Sequence, residues 1–200
     1  MKRTPTWKAA ALCLLCMTLA GCIGTSRPIE YFTLTPLPRP AGLAEGGTAT
    51  VVAVLPIAIP ATIDRPQIVT RTAENQISLS EYNRWGGSLK EDIGRALVQN
   101  LNVLLAGRPA SVVPESLAVD PRYYITVTIN RLDGRLGETV WMNAGWTLRD
   151  QPAKRTLAIR SFVAEERTAG PGYADLVATQ SRLIEALSRE IAADFERLAK

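Results

Sequence analysis

Apolar and polar positions alternate strictly from Tyr123 to Asn130. Tyr123, Ile125, Val127 and Ile129 fall on one side, and Thr126, Thr128 and Asn130 on the other. A period of two is that of a β-strand with one face buried and one wetted. Val140, Met142, Ala144, Trp146 and Leu148 repeat the rhythm, and Thr156 to Ala164 carries it more weakly. Asp133-Gly134 and Arg149-Asp150-Gln151-Pro152 supply turn chemistry between these runs, which predicts an antiparallel meander. Upstream, Thr50 to Ile59 is almost wholly apolar and β-branched. It predicts a strand covered on both faces, with Pro56 at an edge or bulge. Tyr31 to Leu34 and Asn75 to Ser80 are shorter strand candidates, and the Pro/Gly-rich run Thr35 to Gly47 reads as a loop.

Two stretches change period. Ser88-Leu-Lys-Glu91 matches a capping box, and Leu89, Ile93, Leu97, Leu101 and Leu104 then recur at steps of four and three until Gly107 and Pro109. That predicts a helix ending before Gly107. After Gly170-Pro-Gly172, a C-terminal helix carries Leu176, Leu183, Ile184, Leu187, Ile191, Phe195 and Leu198 on one face, and Arg182, Glu185, Arg189, Glu190 and Arg197 on the other. Strands, helix, three strands and helix predict an α+β fold, a mixed, largely antiparallel sheet with two long helices packed on one face.

Composition fits a globular chain, with 46% of the 200 residues hydrophobic and 21% charged. The net charge of +4 invites a nucleic-acid reading until the charge is located. Lys2, Arg3 and Lys8 supply three of the surplus charges, and no acid occurs before Cys22. The domain is therefore nearly neutral, its basic residues form no stripe with interleaved aromatics, and no nucleic acid is expected as partner.

The basic start leads into the uncharged run Ala9 to Ala20 and then Gly21-Cys22. As a helix these residues span only about 18 Å, against a hydrocarbon core of about 30 Å. Positive start, short apolar run and small residues are the layout of a removed signal peptide. Leu19-Ala-Gly-Cys22 also resembles the bacterial lipobox, which implies that Cys22 becomes a lipidated N-terminus. Cys13 and Cys16 would leave with the peptide, so their Cys-x-x-Cys spacing is not a redox or zinc motif. The expected organisation is residues 1–21 signal peptide, 22–30 lipidated tether and 31–200 a single α+β domain. By analogy with lipoproteins, Ile23 in place of an aspartate after the cysteine favours the outer membrane, on its periplasmic face.

The sequence contains no histidine, which removes Ser-His-Asp and Cys-His catalysis and the ordinary zinc and haem sites. Phosphate-binding glycine loops and G-x-S-x-G are absent too. Glu165-Glu166 is an acidic pair on an expected strand, but strand neighbours point to opposite faces and cannot share a proton. No catalytic residue, metal or cofactor is expected. Two segments remain that folding alone does not explain. Residues 60 to 71 place Asp64, Arg65 and Gln67 around Pro66, and residues 81 to 87 place Arg84 and Trp85 before a glycine pair. Loops holding Arg and Trp suit a protein partner, and the alternative is that Asp64 and Arg65 fix a turn while Trp85 covers the core.

These segments carry a resemblance. Tyr31-Phe-Thr-Leu34, Ile63-Asp-Arg-Pro-Gln-Ile-Val69 with Arg71, and Arg84-Trp85 leading to Leu89 resemble the ABC-type transport auxiliary lipoproteins, the PqiC/YmbA-like group. The order of the alternating strand, Trp146 and the C-terminal helix is also similar. The resemblance implies a non-catalytic accessory of an MCE-type lipid-transport system. It would dock an MCE-domain protein at the outer membrane, with a homo-oligomeric ring as one form of assembly. The rival reading is a structural lipoprotein binding cell-wall or outer-membrane components.

Overall fold

The computed structural model describes residues 27–42 and 50–199. The expected signal peptide and Cys22 lie outside the described residues. Among the described residues, eight strands and two long helices follow in the order β1 (Glu30–Phe32), β2 (Thr50–Val54), β3 (Gln67–Ala73), β4 (Gln76–Trp85), α1 (Leu89–Leu104), β5 (Ala110–Pro114), β6 (Tyr123–Gly134), β7 (Thr139–Asp150), β8 (Arg155–Arg167) and α2 (Tyr173–Leu198). The α+β class read from the sequence is the one observed. The strands divide between a five-stranded sheet, β5-β2-β6-β7-β8, and a three-stranded one, β1-β4-β3. The meander β6-β7-β8 is antiparallel throughout, while β2 runs parallel to both β5 and β6.

Alternation along β6 and β7 sends Ile125, Val127, Met142, Ala144 and Trp146 to one buried face. Both helices cover that face. The Tyr123 ring meets Phe195 of α2 edge-on at 5.3 Å, and Trp146 Nε1 donates to Glu190 of α2 at 2.9 Å. Asn102 fastens α1 to β5, donating to the Val112 carbonyl at 2.7 Å and accepting from its N–H at 3.1 Å. Glu165 and Glu166 point to opposite faces as expected, the first accepting from Trp141 Nε1 and the second pairing with Arg182 of α2.

Several boundaries differ from the expectation. Beyond Val54 the ladder breaks at Pro56, and the chain continues irregularly along β6 through Leu55 N–H to Ile125 O (2.9 Å) and Ile129 N–H to Ala58 O (2.8 Å). The turn expected at Asp133-Gly134 is strand. Gly134 ends β6 where a Cβ would lie 2.8 Å from the Thr139 carbonyl oxygen, and the reversal is made by residues 135–138. Ser88 precedes α1, but its hydroxyl makes no cap hydrogen bond and is buried without a partner, so the capping box does not form. Glu91 and Asp92 still place negative charge on the first turn, where the helix dipole favours it.

The Pro-rich run after β1 is a strap across both helices. Pro36, Pro38 and Pro40 have no N–H to satisfy. The N–H groups of Leu34, Thr35 and Leu37 donate to Asp92 Oδ2 (2.6 Å), Ser181 Oγ (3.1 Å) and Asn100 Oδ1 (2.7 Å). Asn100 in turn donates to Ser188 Oγ at 3.1 Å. The buried Asn100 and Ser181 and the half-buried Asp92 satisfy backbone groups that the strap would leave unpaired.

Leu187 has no exposed surface and lies in the middle of the buried face of α2. Leu187→Ala is expected to cost about 2–5 kcal/mol in urea unfolding. A loss below about 0.5 kcal/mol, the usual range for surface positions, would mean that this face is not core.

Candidate functional site

The two segments singled out in the sequence come together in the small sheet. Gln67 on β3 stands opposite Arg84 on β4, and Arg84 stands opposite Tyr31 on β1, so the three side chains share one face. Trp85 N–H donates to the Pro66 carbonyl at 2.8 Å, and Gly86 N–H donates to Phe32 O at 2.8 Å. A Cβ on Gly86 would lie 3.2 Å from Thr33 Cγ2, tight enough that a larger residue has to displace its neighbour.

The individual residues fare differently. Asp64 is exposed and reaches Lys90 of α1 at 3.6 Å, a pairing in water that contributes little. Arg65 is half-buried and folds back toward its own turn, with Nη2 3.5 Å from the Ala61 carbonyl. Trp85 is 5% exposed and belongs to the core. It acts as the alternative reading had it, closing the end of the core, while Gln67 and Arg84 line an open groove of about 710 Å³ with Leu79, Tyr82 and Ile29. Residues 67–71 and 81–85, where the sequence predicts loop, are strand.

The register hides a device that sequence reasoning missed. Between the pairs Gln67–Arg84 and Val69–Leu79, β3 has one residue and β4 has four, Ser80 to Asn83. This wide bulge pushes Glu81 and Tyr82 outward. Ser80 Oγ holds it by accepting from the Asn83 N–H at 3.0 Å and from Asn83 Nδ2 at 2.9 Å.

Arg71 has a different role. Its guanidinium crosses to β6, where Nε and Nη2 donate to Asp133 Oδ2 at 3.1 and 2.6 Å, and Arg131 Nε donates to Oδ1 at 2.8 Å. Burial alone would raise the Asp133 pKa, but the hydrogen bonds from Arg71 and Arg131 outweigh it and hold the carboxyl below its usual range. Arg71 is shifted up, chiefly by the same hydrogen bond. A carboxyl depressed in the folded state adds stability that is complete above its unfolded pKa of about 3.9 and is lost as pH falls through the folded value. Asp133→Asn should therefore cost about 1–3 kcal/mol at pH 7 and flatten the loss of stability below pH 4. Urea titrations at pH 7 and pH 3 check both effects, and an unchanged acid limb would contradict them.

The profile of the family described as ABC-type transport auxiliary lipoprotein component matches residues 32–192. The chain belongs to this family. As a member of a lipoprotein family it is membrane-anchored, and as an auxiliary component it serves an ABC-type transport system rather than belonging to a family of catalysts. No curated protein matches it. Among solved structures, a crystal structure of an uncharacterised protein shares 22% identity and a TM-score of 0.71, over 84% of this auxiliary lipoprotein and 99% of that chain. A Xanthomonas campestris protein shares 13% identity and a TM-score of 0.65 over 84% and 98%. At these identities the likeness shows the fold alone. A PelC dodecamer from Paraburkholderia phytofirmans, 14% identical over 83% of this chain and 97% of its own, has a TM-score of 0.43, too low to bear on assembly here.

Proposed function

We propose that this lipoprotein is a non-catalytic accessory of an MCE-type intermembrane lipid-transport system. It is anchored through lipidated Cys22 to the periplasmic face of the outer membrane, where it docks the MCE-domain protein. The observation that carries the reading is the family match over residues 32–192, joined to the lipobox at Cys22. Asp64, Arg65, Gln67 and Arg84 form the docking edge, with Trp85 beneath them as support. Trp85 fixes the β4 end through its buried ring and through its N–H on Pro66, so that Gln67 and Arg84 are presented by strands, with Asp64 and Arg65 in the turn that leads into β3. Rigid presentation of a few polar anchors lowers the ordering cost of association.

The double charge reversal Asp64→Lys with Arg84→Glu tests the edge. Both positions are solvent-accessible and neither is in the core, so the melting temperature should stay within a few degrees of wild type. Recovery of cross-linked MCE protein from envelopes should fall about tenfold, the equivalent of about 1.4 kcal/mol. Unchanged recovery would move docking to another surface.

A further inference from the structure

Nine large apolar side chains remain exposed among the described residues, and five of them, Ile29, Tyr31, Ile77, Leu79 and Tyr82, sit on the three-stranded sheet or the residues leading into it. Ile29 and Tyr31 are two positions apart and so lie on one side of the chain, while Phe32 turns toward the core. Tyr31 is 66% exposed. The Ser80–Asn83 bulge brings Tyr82 out to the same groove as Ile29 and Leu79, with Arg27 and Arg84 beside them. A concentration of apolar and tyrosine side chains on one sheet of a small domain needs a cover.

Where the chain enters this face identifies the cover. Arg27 lines the groove and lies five residues after Cys22, a distance that even fully extended backbone spans in only about 18 Å. A diacylated or triacylated Cys22 therefore holds this side of the domain close to the headgroups and raises the local concentration of bilayer in front of it. Tyrosine rings are amphipathic and collect at the membrane–water boundary. Glu81 lines the same groove as Arg27 and Arg84 and leaves little net positive charge there, so contact relies chiefly on apolar burial and not on anionic headgroups.

We propose that the face formed by Ile29, Tyr31, Leu79 and Tyr82 lies on the phospholipid bilayer that holds Cys22. The inference rests on the lipid-anchor reading and deepens it, because it fixes the orientation of the domain. Gln67 and Arg84, which line the same groove, then stand at headgroup level, and an MCE protein reaches the docking edge from the Asp64–Arg65 turn, which lies outside that groove.

The test uses the full lipidated chain in vesicles of phosphatidylethanolamine and phosphatidylglycerol carrying a shallow nitroxide on the acyl chain. With the Cys22 thiol acylated and the signal peptide removed, Tyr31→Cys, Tyr82→Cys and Val163→Cys each supply a single thiol for an environment-sensitive fluorophore. Val163, 73% exposed on β8, is the control. Nitroxide should quench the labels at 31 and 82 several-fold more than the label at 163, and high salt should not relieve it. Equal, weak quenching at all three sites in protein that still floats with the vesicles would overturn the orientation and leave the anchor standing. Energy transfer between labels at 31, without nitroxide quenching, would assign the face to a second copy and overturn it as well. Protein that does not float would overturn the anchor reading and the orientation together.

Discussion

Trp146→Ala is expected to lower stability by about 3–5 kcal/mol, read from urea or thermal unfolding of the lipid-free domain. Trp146 is 1% exposed on the inner face of β7, opposite Val127 of β6 and Arg160 of β8. Removing an indole there leaves a cavity between the central strands and α2 that surrounding side chains fill only in part. The indole N–H also holds Glu190 of α2, so helix and sheet lose a registering contact together with the packing. Trp146→Phe separates the two effects. Most of the ring remains, Glu190 is solvent-accessible and can turn to water, and the cost should drop to about 1–2 kcal/mol. Equal losses for Ala and Phe would put the hydrogen bond, not the packing, in control of this junction.

Cys22→Ser should leave the domain folded and abolish its attachment to membranes. Each buried CH₂ contributes about 0.8 kcal/mol, and more than one acyl chain is needed for stable anchoring. The serine variant has no acyl chain. Four exposed side chains on the small sheet orient a tethered domain but are too few to hold a free one. Flotation of envelope fractions checks the prediction, with an unfolding curve as control. A serine variant that floats like wild type would contradict the lipobox reading.

The meander and both helices were legible because their faces are one-sided. In β6 and β7 every second side chain is core, and in α2 the apolar stripe recurs at three and four. The small sheet was less legible. Residues 67 to 73 follow Pro66 and end at Glu74-Asn75, a hairpin turn without glycine, so the β-branched run Ile68-Val-Thr70 reads as loop. Both sides of β3 are buried, and no alternation marks it. The bulge at Ser80 to Asn83 breaks the rhythm of β4, so only its first half reads as strand. Residues 110–114 form β5 through parallel pairing with β2, a contact between distant segments that a local pattern does not encode. The strap over the helices is likewise held by Asp92, Asn100 and Ser181, far away in sequence.

At the candidate site, the sequence pointed to the right neighbourhood and misjudged its parts. Residue types picked out Gln67, Arg84 and Trp85, but a tryptophan beside two glycines looks the same whether it faces solvent or core. Arg71, part of the motif that carried the family resemblance, joins the two sheets through Asp133. Its signal would have been the lone Asp133 at the end of an alternating strand, which needs a cation from elsewhere once buried.

The central claim is that this anchored domain meets an MCE protein at the outer membrane. Its most direct test is in-cell cross-linking of the full lipidated chain, followed by separation of inner and outer membranes and identification of the cross-linked partner. The account predicts an MCE-domain protein recovered with the chain in the outer-membrane fraction, and lost from that fraction in Cys22→Ser. Efficient cross-linking that yields no MCE protein, or a complex confined to the inner membrane, would contradict it.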